Sequence, residues 1–283
     1  MRSSFSYVST LLLALVGASN GSTEEPSTLR EMIDAAVGES QVFGGHDVQE
    51  PAKALVVLRW ANNARGSEDG TTILYVHRGR PLAAACLYPW DGRLVHDFEA
   101  IGRRPAIARR EGRAIWEPHE SGVDFADIPD APAPEATRVG RLRQMKSLTE
   151  QFQSTLVGWK ADNTDREELR LLPRPLFRYE VDDAADVTNA IVDGAVFAFV
   201  MGTDPESLLL IEAVVDGKTT KWQYAFARRT SGELEGRLDS RVVWKAPRYP
   251  ADSDPRQPHF TIGMPIPRHL LSPEDVEKET KAP

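Results

Sequence analysis

Asp69 to Pro81 reads DGTTILYVHRGRP, and Asp193 to Pro205 reads DGAVFAFVMGTDP. At one constant offset Asp69 and Gly70 answer Asp193 and Gly194, Tyr75 answers Phe199, Val76 answers Val200 and Pro81 answers Pro205, without a gap. Upstream, Leu58-Arg59-Trp60 is echoed by Phe177-Arg178-Tyr179. Downstream, Arg103-Arg104 and Trp116 are echoed by Arg228-Arg229 and Trp244. Correspondence in constant order predicts a duplicated supersecondary unit whose copies bury their apolar faces on each other.

The first copy is expected to open with a short helix. Thr28-Leu29-Arg30-Glu31 has the form of a capping box, Leu29, Ile33 and Val37 share one helical face, and Gly38 is placed to end it. Ala54 to Trp60 reads as a strand from its β-branched and aromatic content. Thr71 to His77 and Leu82 to Tyr88 then flank a three-residue hairpin loop, Arg78-Gly79-Arg80. Leu94, His96, Phe98 and Ala100 alternate with Val95, Asp97 and Glu99, as in a strand with one buried face. Arg113 to Glu117 supplies the last strand.

Pro118 to Pro134 is rich in proline, aspartate and alanine, and predicts an irregular surface crossing anchored by Phe125. Beyond it Leu142, Met145, Leu148, Phe152, Leu156 and Trp159 recur every three or four residues, which predicts one long helix with Trp159 buried at the end of its apolar stripe. Strands follow at Leu171 to Glu180, Ala195 to Met201, Leu208 to Val215, Trp222 to Arg228 and Arg241 to Trp244, with His259 to Ile262 as an edge strand. The expected fold class is therefore α+β: a duplicated unit of one helix plus an antiparallel meander, with helices packed on curved sheet. Its divisions are a leading segment 1–21, a first unit 22–134, a second unit 135–262 and a charged, disordered tail 263–283. Whether the two sheets fuse or face each other stays open.

Met1 to Gly21 has one basic residue, Arg2, an apolar run from Val8 to Val16, and then small residues, the pattern of a secretory signal peptide. The run is much shorter than the roughly 20 residues of a spanning helix, so no membrane anchor is expected after processing, and the protein should be secreted or periplasmic. A net charge of -8 disfavours nucleic acid as a partner. The single cysteine, Cys86, excludes an internal disulfide and sits in an apolar run, where a buried, inert thiol is expected.

Chemistry leaves fainter marks. There is no Gly-rich phosphate loop, no HExxH, no paired CxxC and no GxSxG elbow, and neither cofactor nor metal is expected. His96 adjoins Asp97, but neighbours on a strand point to opposite faces. The polar run Asp162 to Glu168 could gather carboxylates, with Asp165 and Glu168 close enough to converge. Arg59 and Arg178 hold the same place in the two stretches and are expected to brace a carboxylate or carbonyl at a sheet edge. Arg166, among four acidic residues between apolar segments, is expected to be a buried brace from helix to strand.

On Leu58-Arg59-Trp60, Tyr88-Pro89-Trp90, Gly158-Trp159-Lys160 and the run Asp165 to Pro173, the chain resembles a group of exported proteins of planctomycete bacteria without assigned activity. The resemblance spans roughly Leu58 to Phe260. It implies an exported setting and a shared fold, and brings no activity or catalytic residue with it. The function expected is non-catalytic binding of a protein or small-molecule ligand, with Arg59, Trp159, Arg166 and Arg178 as candidate contacts. The alternative is a hydrolase drawing on His96 with Asp165 and Glu168.

Overall fold

The computed structural model describes residues 26–62, 67–158, 165–180, 191–249 and 254–271. Two helices, α1 (Leu29–Glu39) and α2 (Arg138–Thr149), accompany strands grouped into four antiparallel sheets. In the first half of the chain the strands are β1 (Ser40–Phe43), β2 (Lys53–Asn62), β3 (Ser67–His77), β4 (Arg80–Trp90), β5 (Arg93–Ala100), β6 (Ile107–Arg110), β7 (Arg113–Trp116) and β8 (Ala126–Asp127). In the second they are β9 (Phe152–Val157), β10 (Arg166–Glu168), β11 (Arg170–Leu171), β12 (Phe177–Arg178), β13 (Ile191–Met201), β14 (Asp204–Asp216), β15 (Thr219–Arg228), β16 (Glu233–Leu238), β17 (Arg241–Ala246) and β18 (His259–Pro265).

A five-stranded sheet, β18-β5-β4-β3-β2, faces a six-stranded one, β11-β13-β14-β15-β8, in which β12 also pairs with β13. Between them lie Leu74, Val76, Ala84, Val196, Ala198, Val200, Leu208, Leu210, Ala225 and Ala227. The opposite face of the five-stranded sheet, with Ile73, Tyr75, Phe98 and Phe260, packs under α1 and the small sheet β1-β6-β7. The opposite face of the six-stranded sheet, with Phe197, Phe199, Trp222 and Phe226, packs under α2 and the sheet β10-β9-β16-β17. Central strands are thus buried on both faces, which is why β13 and β14 read as nearly unbroken apolar runs.

This overturns the expected fold class. The molecule is mostly β, and a duplicated α+β unit of helix plus meander does not form. One reason is local. The predicted long helix stops at Thr149, and its continuation Phe152 to Val157 is β9. Phe152 and Leu156 are four apart, a spacing that fits one helical face and one strand face equally well. Thr155 and Val157 are β-branched and tip the balance toward a strand held between β10 and β16. The other reason is long-range. Each run of strands divides between two sheets, since β6 and β7 leave the five-stranded sheet to join β1, and β16 and β17 leave the six-stranded sheet to join β9. Neither half closes its own large sheet either: β8 borders β15 and β18 borders β5.

The recurring Asp-Gly pairs have a local cause. A Cβ on Gly70 would lie 2.2 Å from the Trp60 ring, and one on Gly194 would lie 2.6 Å from the Tyr179 ring, so both sites must be bare for the neighbouring strand's aromatic to lie across them. The aspartates hold the helices: Asp69 accepts from Arg30 of α1, and Asp193 accepts from Arg141 of α2 at 2.9 Å. The turn after β3 has two residues, not three, with Arg78 and Gly79 at φ 49° and 75°, a twist that suits a tight hairpin. The capping box at Thr28 and Glu31 is present as read.

Candidate functional site

Where the two large sheets meet, buried charges cross between them in both directions. Arg103, just beyond β5, donates to Glu212 of β14 at 2.7 Å, and Arg80 of β4 and the Tyr179 hydroxyl reach the same carboxylate at 3.5 and 3.0 Å. Arg229, just beyond β15, reaches back to Asp97 of β5 with its side chain fully enclosed. The tips of the β3–β4 and β13–β14 hairpins make crossings of their own: the Glu180 amide donates to the Gly79 carbonyl at 2.9 Å, and the Ala61 amide donates to the Thr203 side-chain hydroxyl at 3.0 Å.

The densest group surrounds Asp97. Its Oδ1 accepts from Arg229 and, at 2.8 Å, from the Cys86 amide. Two residues on, along the same face of β5, Glu99 Oε2 lies 3.0 Å from His259 Nδ1, both side chains 3% exposed. The His259 ring meets the Tyr249 ring edge-on at 4.8 Å, and the Arg228 guanidinium lies over Tyr249. Burial pushes the Glu99 carboxyl up to about 8 against the pull of Arg229 and Arg228, and pushes His259 down to about 3. At neutral pH Glu99 is therefore a carboxylic acid donating to the imidazole. Burial also lifts the Cys86 thiol to about 12, which leaves it un-ionised and inert as a nucleophile.

The residues singled out in the sequence do not come together. His96 is fully enclosed on the far face of the five-stranded sheet, its ring 4.1 Å from that of Phe98 and its Nδ1 3.3 Å from Arg110 Nη2. Burial, aided by Arg110, lowers it to about 3. Asp165 and Glu168 belong to the outer four-stranded layer, Glu168 opposite Thr155 of β9. Both large sheets stand between that layer and His96, so the two parts of the hydrolase alternative are kept apart. Trp159 lies outside the described residues, as do 162–164 of the acidic run.

Arg178 does brace a carboxylate, through Nη2 and Nε to Asp193 at 2.6 and 3.1 Å, and with Arg141 it holds that carboxyl below its usual range although burial opposes them. Arg59 joins β2 to α1 through Asp34 at 2.7 Å and also reaches Thr71. Arg166 departs from expectation: it donates to Glu235 at 2.9 Å, but its side chain is 47% exposed, and it spans β10 to β16 rather than helix to strand. β9 lies between those two strands and sets their spacing.

An open cleft of ≈ 190 Å³ is lined by Arg103, Val214, Val215, Asp216, Lys221 and Gln223. Its charges are already matched, Lys221 to Asp127 and Asp216 and Arg103 to Glu212. Among the described residues no three histidine, cysteine or carboxylate side chains gather as a metal site would require, and no helix is long and apolar enough to cross a membrane. The sequence attaches no chemistry to Glu99, Glu212 or His259, and Asp97 enters only as the neighbour of His96. The available sign was a carboxylate inside an apolar run, as in Leu210-Ile211-Glu212-Ala213, which a buried position must partner. No family model, no curated protein and no solved structure matches the chain.

Proposed function

We propose that the chain is an exported, non-catalytic binding protein that meets a protein partner at the tip between β4 and β5. The observation that carries this reading is Trp90, 53% exposed on a two-residue turn whose Asp91 and Gly92 have φ 49° and 69°. The turn is held in place by pairing on its far side, since Trp90 is opposite Arg93 and Arg93 is opposite Pro265 of β18. A tryptophan in water forgoes a large apolar burial, and in interfaces it is the residue most used as an anchor. Arg93, opposite Trp90 across the turn, is exposed and supplies donors for a polar rim.

Two further points support binding over hydrolysis. The buried ionisable groups hold strands together, Arg229 tying the end of β15 to Asp97 of β5 and His259 of β18 meeting Glu99 of β5, and the carboxylates of the hydrolase alternative lie two sheets from His96. Export rests on the leading segment 1–21, which is outside the described residues, and on the resemblance to exported proteins.

The test is co-sedimentation of purified protein with the cell-envelope fraction of the source organism, before and after protease treatment of that fraction. Wild type should sediment with untreated envelope only, and Trp90→Ala should stay in solution with an unchanged melting temperature. Equal sedimentation of the two proteins would remove the tip from the interface. Turnover of simple ester or peptide substrates that is lost in His96→Gln would restore the hydrolase.

A further inference from the structure

Strand β18 comes from the far end of the chain to border β5 over seven residues, from His259 opposite Glu99 to Pro265 opposite Arg93. The segment before it is tied to the first half by backbone, through the Pro258 carbonyl to the Ala100 amide at 3.0 Å and the Gln257 carbonyl to the Trp116 indole at 2.9 Å. Phe260 and Ile266 complete the apolar layer that holds Leu94 and Phe98. The polar contact at the strand's first residue is the buried pair of Glu99 and His259.

We propose that β18 is a strap whose grip on β5 depends on one proton held between Glu99 and His259, so that the strap loosens as pH rises above neutrality. The geometry leaves that proton nowhere else to go. Asp97, on the same face of β5, is occupied by Arg229 and the Cys86 amide. From β15, Arg228 donates to the Gly232 and Pro247 carbonyls. Tyr249 presents its ring to His259, and on the remaining side Gly122 approaches so closely that a Cβ there would lie 2.3 Å from Glu99 Oε1. Glu99 has His259 as its hydrogen-bonding partner, and water reaches neither while the strap is closed.

The direction follows from what opening does. In water the carboxyl returns to its ordinary 4.5 and the imidazole to 6.5, while the closed strap keeps the first protonated to about 8 and the second neutral to about 3. Between 4.5 and 6.5 the open state loses one proton at Glu99 and gains one at His259, and closure is level. From 6.5 to 8 only the Glu99 loss remains, so opening becomes easier tenfold per pH unit, about 30-fold in all, and then levels off. Below 4.5 the His259 gain acts alone and opening eases again toward acid.

Amide hydrogen exchange of the full chain tests this, with rates corrected for the intrinsic effect of pH. Opening of the β18 amides should rise about 30-fold between pH 6.5 and 8 and flatten above. The β13 and β14 amides should stay slower throughout. Glu99→Gln should abolish the rise. His259→Gln should keep it but start it near pH 4.5, which guards against a Glu99 variant that fails to fold. A rise that persists in Glu99→Gln, a start that does not move in His259→Gln, or β18 amides that merely track β13 and β14 would each overturn the strap.

Discussion

Asp193 and Arg166 put the same kind of pairing to unequal use. Asp193 is 2% exposed and takes Arg178 and Arg141 together, so Asp193→Ala leaves two guanidinium groups in a poorly hydrated place and should cost about 3–5 kcal/mol in urea denaturation. Arg166 is nearly half in water, and Glu235 keeps Arg237 at 2.6 Å without it, so Arg166→Ala should stay within about 0–1 kcal/mol. A large loss at Arg166, or none at Asp193, would reverse the assignment of brace and bystander. The glycines separate in the same way. Gly194→Ala drives a methyl into the enclosed Tyr179 ring and should lower the melting temperature by several degrees. At Gly38, in α1 with nothing within 4 Å, the same change should stabilise by roughly 0.5–1 kcal/mol. The Asp-Gly pairs could be found in the sequence because each residue of the pair answers a fixed local demand. The partners they answer to, Arg30 and Arg141, could not, because they lie 39 and 52 positions away along the chain.

Elements whose pattern allows one period were legible, and those that allow two were not. β3, β4 and β5 alternate or run apolar within turn signals, and α1 announces itself by its cap. β9 carried a helical spacing by coincidence of Phe152 with Leu156, and the burial that decides for a strand comes from β16, some 80 residues later in the chain. The consequence is testable: carbon chemical shifts across 152–157 should be of strand type, and Thr155→Pro should be severely destabilising, since β9 is paired on both sides and has no free edge for a missing amide. Helical shifts, or tolerance of that proline, would return the stripe to the long helix. The candidate site was the least legible part, because it is made by contact between sheets, and nothing in a linear pattern tells Asp97 that it will meet Arg229.

For the molecule entire, the buried groups set a dependence of stability on pH. Between about 4.5 and 6.5 the unfolded chain holds two protons more on His96 and His259, and the folded chain one more on Glu99, so stability rises with pH. Above 6.5 the histidine difference is gone and the Glu99 proton alone favours the folded state, so stability falls by about 1.4 kcal/mol per pH unit until about 8. Urea denaturation should therefore place maximum stability near pH 6.5, and a value at pH 8 equal to or above that at 6.5 would refute the protonated Glu99. The two borrowed strands bear on how the protein comes into being. A ribosome makes the first half early, yet β5 waits for its neighbour until residue 265 has been synthesised. For most of its birth the chain therefore carries an unfinished sheet edge, and whatever handles the nascent protein must shield that edge until the last strand arrives.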